Sequence, residues 1–210
     1  MENILNTESM QAILKFARSN YIPVLLTDTA NLLAKNLKQF NPKTVLEIGT
    51  AIGYSGTLIL NACDCHLTTL EKEETSFNLA KQHFTEFNLS SRVTQMLGDA
   101  LDLLLELKSK QAKFDFIFLD GPKGQYIKYL PIIKELLNDG GILFADNVFF
   151  KRMIFMEGTI PHKKRTIVVN LRKFLEAVKT DVDFKNVNIV DIGDGVLIAT
   201  YVKEKLWLNY

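Results

Sequence analysis

From Thr44 to Ala145 the chain switches between two patterns. Short apolar runs, rich in branched and aromatic side chains, alternate with stretches whose apolar residues recur every three or four positions. The first pattern is that of a strand buried on both faces, the second that of a helix with one buried stripe. Five strands are predicted on this basis: Thr44–Gly49, His66–Leu70, Val93–Leu97, Phe114–Leu119 and Ile142–Ala145. The helices between them include residues 73–88 with Phe77, Ala80, Phe84 and Phe87 as the stripe, then 101–108, then about Gln125 to Leu137. Asp139-Gly140-Gly141 reads as a tight turn before the fifth strand.

Ahead of the first strand, Met10, Ile13, Leu14 and Ala17 mark a helix over residues 7–19, broken at Tyr21-Ile22-Pro23. Thr27 or Asp28 can cap a second helix containing Ala30, Leu32, Leu33 and Leu37, which Asn41-Pro42 ends. These two helices, within residues 1–40, are expected to lie across the end of the first strand and cover a site. Beyond the fifth strand, residues 148–165 lack a period and read as a loop. Thr166–Lys179 reads as a helix, and Val187–Ile192 and Val196–Val202 as two strands joined by Gly193-Asp194-Gly195. The sum is one α/β domain over residues 1–210: a doubly wound sheet of seven mostly parallel strands, the last antiparallel, with helices on both faces. There is no repeat, low-complexity tract or domain linker.

Composition adds boundaries. Apolar residues make up 47% of the 210, enough for a sizeable core. No apolar run approaches the ~20 residues of a membrane helix, and the first twenty residues do not read as a signal peptide. Cys63 and Cys65 stand one residue apart, too close for an ordinary structural disulfide, and with scattered histidines they do not suggest zinc; reduced thiols in a cytoplasmic protein are expected. The formal charge is +1, but it is unevenly spread. Between Lys151 and Lys173 seven basic side chains (Lys151, Arg152, Lys163, Lys164, Arg165, Arg172, Lys173) face one acid, Glu157, and the remainder is net acidic. A basic segment on an acidic protein suggests an anionic partner.

The candidate chemistry lies where the strands stop. Ligands of open α/β sheets collect outside the carboxyl ends of the strands. Five consecutive ends carry polar groups: Glu47 with the turn Gly49-Thr50-Ala51-Ile52-Gly53-Tyr54-Ser55, Glu71, Asp99, Asp120, and Asp146-Asn147. The glycine turn is not the GxGxxG of dinucleotide binding, and Glu47 beside it would repel a pyrophosphate and attract a cation. Glu71 is placed to bind ribose hydroxyls. Asp120, Asp146 and Asn147 are oxygen donors, a set that suits Mg²⁺ better than zinc.

VLEIGTAIGYSG resembles the first motif of class I S-adenosylmethionine-dependent methyltransferases. DGPKGQY and DNV resemble the metal-dependent O-methyltransferase family that includes catechol O-methyltransferase. Within that family the chain is most similar to the bacterial tRNA 5-hydroxyuridine methyltransferases, through YIP at 21–23, EIGTAIGYS at 47–55, KGQY at 123–126, DNVFFK at 146–151, KKRTIV at 163–168 and GDG at 193–195. The resemblance spans about residues 20–202. It implies a Rossmann-like methyltransferase sheet and a homodimer. Leu25, Glu47, Gly49, Gly53 and Ser55 would surround the methionine part of S-adenosylmethionine, Glu71 would hold the ribose, and Asp99 and Ala100 would frame the adenine. Asp120 would serve both the cofactor and Mg²⁺, joined on the ion by Asp146 and Asn147, with Lys123 as general base. No clear match exists for the further carboxylate that orients the second hydroxyl in catechol methyltransferases.

The implied reaction is an in-line attack of an acceptor oxyanion on the sulfonium methyl. Mg²⁺ would lower the acceptor's pKa, and two adjacent oxygens would chelate it. Catechols offer such a pair, and so does 5-hydroxyuridine. Lys151, Arg152, Lys163, Lys164 and Arg165 would hold phosphates of a tRNA anticodon loop, which favours methylation at the wobble position to 5-methoxyuridine. The alternatives are an O-methyltransferase of small phenols and a non-catalytic S-adenosylmethionine- or RNA-binding protein.

Overall fold

The computed structural model describes residues 4–203. Seven strands form one sheet: β1 (Thr44–Ile48), β2 (His66–Glu71), β3 (Val93–Leu97), β4 (Phe114–Leu119), β5 (Leu137–Ala145), β6 (Phe184–Val190) and β7 (Val196–Tyr201). Their order is β3-β2-β1-β4-β5-β7-β6. β1 to β5 pair in parallel, and β7 is antiparallel to both of its neighbours. The predicted doubly wound sheet with one reversed strand is what forms. The chain reverses direction across the sheet between β1 and β4, which opens the crevice where ligands of such sheets collect.

Seven α-helices clothe the sheet: α1 (Glu8–Ser19), α2 (Thr27–Phe40), α3 (Tyr54–Ala62), α4 (Glu74–Glu86), α5 (Ala100–Ser109), α6 (Tyr126–Leu136) and α7 (His162–Thr180). Strand side chains point alternately to the two faces. On β4, Ile117 and Leu119 join the core under α5, α6 and α7, while Phe116 and Phe118 join the one under α1 to α4. Both sets are fully buried, so the run reads as continuously apolar. The same alternation on β1 sends Leu46 and Ile48 to the first core and Val45 to the second.

Three expectations are corrected. α1 and α2 pack into the core more than across the site: Met10, Ile13, Ala17, Ala30, Leu33 and Leu37 are buried beside α3, and it is their connection, with the start of α2 at Thr29, that reaches the sheet's functional end. Asp139-Gly140-Gly141 does not separate helix from strand. β5 begins at Leu137, pairs with Phe114, and absorbs the glycines as an irregularity before pairing resumes at Phe116 with Ile142. α7 begins at His162, four residues before the expected start at Thr166, because its first turn is wholly exposed and has no apolar period to read.

Phe118 is fully buried with its ring 5.7 Å from that of Phe144. Phe118→Ala is expected to destabilise the protein by about 3–5 kcal/mol, seen as a lower urea midpoint at unchanged slope.

Candidate active site

A cavity of about 850 Å³ opens at the carboxyl ends of β1, β2, β4 and β5, where Ile48, Glu71, Asp120, Asp146 and Asn147 all reach its wall. Its far side is closed by Pro23 to Leu26, the link between α1 and α2, so Leu25 lines it. Gly49, Ser55, Glu71, Asp99, Ala100, Asp120, Lys123, Asp146 and Asn147 line it as well. Glu47 and Gly53 do not.

The floor is set by pairing. Leu119 of β4 stands opposite Ala145 of β5, so Asp120 and Asp146 leave adjacent strands side by side. Their amides extend the ladder, Asp120 N–H donating to Ile48 C=O at 3.0 Å and Asp146 N–H to Leu119 C=O at 3.0 Å. Tyr126, fully buried on α6, shares its hydroxyl proton between Leu119 C=O at 3.1 Å and Asp146 C=O at 3.2 Å and so ties the two strand ends together. Gly49 makes the approach possible: it has φ +105°, and a Cβ there would lie 2.6 Å from Asp120 O.

Burial and the charge of Asp120 push the Asp146 carboxyl up to about 7. Its Oδ1 accepts Asn147 N–H at 2.7 Å, and Oδ2 has no hydrogen-bond partner among the described residues. Lys123, one turn beyond Asp120, places Nζ 2.6 Å from Asp120 Oδ1 and 5.8 Å from the centre of the Tyr126 ring. Asn147 is left-handed, φ +54°, a conformation asparagine tolerates. Two carboxylates and an amide form an all-oxygen set with an unused, desolvated acceptor, which fits a hard divalent cation whose shell is completed by water. Among the described residues, no group of three His, Cys, Asp or Glu side chains could do so.

Glu71 is held by three backbone amides: Ala51 N–H at 2.7 Å on Oε2, and Lys72 and Glu73 N–H at 2.8 Å each on Oε1. A carboxylate offers about four acceptor positions, so one remains for a ligand hydroxyl. Asp99 does cap a helix, accepting Leu101 N–H at 3.0 Å, while its other oxygen lies 3.7 Å from Lys72 Nζ. It borders the cavity in addition to capping.

Glu47 lies within β1 and not past its end, and the alternation turns it away from the cavity toward α3. It is fully buried. Oε2 accepts Thr69 Oγ1–H at 2.5 Å, Thr69 and Thr50 hydroxyls are themselves 2.5 Å apart, and Ser55 lies close to the same carboxyl, while Oε1 has no well-formed hydrogen bond among the described residues. Burial outweighs the bonds from Ser55 and Thr69 and raises its pKa to about 8.

The basic segment divides. Arg152 is committed to Asp191 through contacts of 2.8–3.2 Å and lies 5.5 Å from the Phe149 and Phe155 ring centres. Arg172 donates to Ile154 C=O at 2.8 Å and Met156 C=O at 2.7 Å. Lys163, Lys164 and Arg165 occupy the exposed first turn of α7 and pair with no acid among the described residues; Lys164 lies 5.6 Å from the Phe150 ring centre. Further along, in its third turn, α7 packs on the turn bearing Lys123, Asn170 donating to Gly124 C=O at 2.8 Å. No described helix is long and apolar enough to cross a membrane, and Cys63 and Cys65 are free and buried.

Tyr126, Thr69, Thr50 and Asp194 carry parts of this edge without having been singled out for a role. Tyr126 was detectable, since one helical step past the turn brings it back over the strand ends; the partners of the others are fixed only by the fold.

Comparison with known proteins agrees with this geometry. A family model described as O-methyltransferase matches residues 4–202. A caffeoyl-CoA O-methyltransferase of Populus kitakamiensis is 25% identical over 178 residues, 82% of this chain and 75% of that protein. Among solved structures, a Staphylococcus aureus protein provisionally assigned as a caffeoyl-CoA O-methyltransferase has TM-score 0.84 at 28% identity, covering 93% of each chain. An O-methyltransferase from Bacillus cereus in complex with SAH has TM-score 0.82 at 22% identity, covering 93% of this chain and 91% of its own.

Asp146 and Glu47 in the folded protein hold protons that the unfolded chain releases from about pH 4, so stability falls as pH rises through that window. Calorimetry without added ion or cofactor is expected to show a declining Tm between about pH 4 and about pH 8. Asp146→Asn should flatten the decline below about 7, and Glu47→Gln the part extending to about 8.

Proposed function

Because the chain belongs to the O-methyltransferase family, we propose that it transfers a methyl group from S-adenosylmethionine to the 5-hydroxyl of 5-hydroxyuridine at the wobble position of tRNA, with Mg²⁺, as a cytoplasmic homodimer. The observation that carries the choice of acceptor is the first turn of α7. Lys163, Lys164 and Arg165 add three unpaired cations to the positive end of the helix dipole, beside the turn that bears Lys123. So much uncompensated charge suits the phosphates of a nucleic acid better than a small neutral phenol.

S-Adenosylmethionine would take the cavity with its ribose toward Glu71 and its adenine toward Asp99 and Ala100. The Bacillus cereus neighbour, solved with SAH, supports that cofactor. Asp120, Asp146 and Asn147 would hold the ion, whose contribution there would be to make the acceptor hydroxyl more acidic. Lys123 sits in an ion pair with Asp120. From that position, facing the cavity beside the carboxylates, Lys123 would be the base that takes the acceptor's proton. Pro23 to Leu26, which wall the cavity, would screen a bound cofactor from bulk water.

A phenolic acceptor is the second reading: the names of the caffeoyl-CoA relatives favour it, and the phosphates of a coenzyme A thioester would suit the basic turn as well. The two separate in one assay. Protein, S-adenosylmethionine, Mg²⁺ and tRNA from a strain lacking the enzyme are incubated, and nucleosides are analysed by mass spectrometry. 5-Methoxyuridine is expected; turnover of catechols with none on tRNA overturns the tRNA reading. Lys123→Ala should lower kcat by about 10²–10⁴-fold. Replacing Lys163, Lys164 and Arg165 by Ala should raise KM for tRNA and flatten its logarithmic salt dependence by roughly 2, with cofactor affinity unchanged.

A further inference from the structure

We infer that Asp194, at the tip of the β6–β7 hairpin, is a positioning residue that holds Asn147 at the strand ends, on the footing that Asp120, Asp146 and Asn147 bind a divalent ion.

The segment after β5 has an improbable backbone. Asn147, Phe150, Lys151 and Arg152 have φ of +54°, +48°, +54° and +59°. Non-glycine residues pay for the left-handed region, and three in succession persist only when their surroundings hold them there. The hairpin supplies the hold. Val148 N–H donates to Gly195 C=O at 3.0 Å and Phe149 N–H to Asp194 C=O at 2.8 Å. Lys151 N–H, in the middle of the left-handed run, lies 2.7 and 2.8 Å from the two oxygens of the Asp194 carboxylate. This is a charge-assisted bond across 43 residues of chain.

The flanking glycines let the tip reach that position. A Cβ on Gly195 would lie 2.3 Å from the Phe149 ring, and one on Gly193 would lie 2.5 Å from Thr29 Oγ1 on α2. The tip is therefore pressed between the segment after β5 and the helix that follows the cavity-lining link. Slack released at Lys151 passes directly to Asn147, because Phe150 N–H closes the turn on Asn147 C=O at 3.2 Å. Asn147 is also the donor residue least anchored by the sheet, lying beyond the last ladder bond of β5, whereas Asp146 N–H is still in it.

The test uses Mn²⁺ as the ion probe, with calorimetric titration of the whole protein, and compares wild type with Asp194→Ala and Asp194→Asn. Groups that support a metal ligand from outside typically contribute 10–100-fold in metal affinity. Asp194→Ala is expected to weaken Mn²⁺ binding by about that factor, and Asp194→Asn, which keeps one acceptor oxygen, by less. S-Adenosylhomocysteine affinity should stay within about twofold, which reports an intact cavity, and hydrogen exchange at Phe149 and Lys151 amides should quicken while that of β4 does not. Equal Mn²⁺ affinity in Asp194→Ala and wild type overturns the inference and leaves the metal site standing. Failure of wild type itself to take up Mn²⁺ overturns the metal site and the inference together. Should Asp194→Ala lose cofactor binding as well, Asp194→Asn decides by the same two affinities.

Discussion

Parallel pairing of β4 with β5 forces two carboxylates, Asp120 and Asp146, out of adjacent strands into one poorly solvated place. Much of the functional end follows from that. Like charges so placed resist ionisation together, so the pair needs a positive partner. Lys123 supplies one from the next turn. Around them the fold spends specific residues on keeping the strand ends together: Gly49, whose missing side chain lets β1's turn pass against Asp120, and Tyr126, whose single proton bridges both strands. A cationic methyl donor suits the same electrostatic demand.

Strands were legible because burial on both faces leaves no choice but apolar residues, and a strand's end is marked by the first side chain that must be polar. Phe114–Leu119 and Val93–Leu97 were readable to the residue for this reason. Glu47 misled for a related one. Counted from the glycine turn it resembles a strand-end acid, but it lies one step inside β1, and the period of two sends it beneath α3. The start of α7 was invisible because four exposed residues carry no stripe. The hold of Asp194 on Lys151 was invisible because nothing local marks a carboxylate whose partner is an amide far away in the chain.

The rim of the cavity differs in character from its floor. The floor is made by strand ends and varies little in shape if the sheet is kept. The rim consists of the segment after β5 and the first turn of α7; Arg152 ties that segment to Asp191 of the β6–β7 hairpin, and Arg172, further along α7, holds the carbonyls of Ile154 and Met156. Two of the segment's arginines are thus internal fastenings, and the charge that faces outward comes from the lysines and Arg165. Counting basic residues along the sequence treated these as one group; the fold separates them into structure and surface.

The hairpin tip also sets an order of events. Asp120, Asp146 and Asn147 are all made before residue 150, but the clasp that fixes the last of them leaves the ribosome about forty residues later, with β7, the one reversed strand, inserting between β5 and β6. Until that insertion β5 is an open sheet edge, and the left-handed run beside Asn147 has nothing to hold it. The acids at the strand ends therefore all precede in the chain the hairpin that clasps the segment beside them, and their arrangement depends on β7 taking its place between β5 and β6.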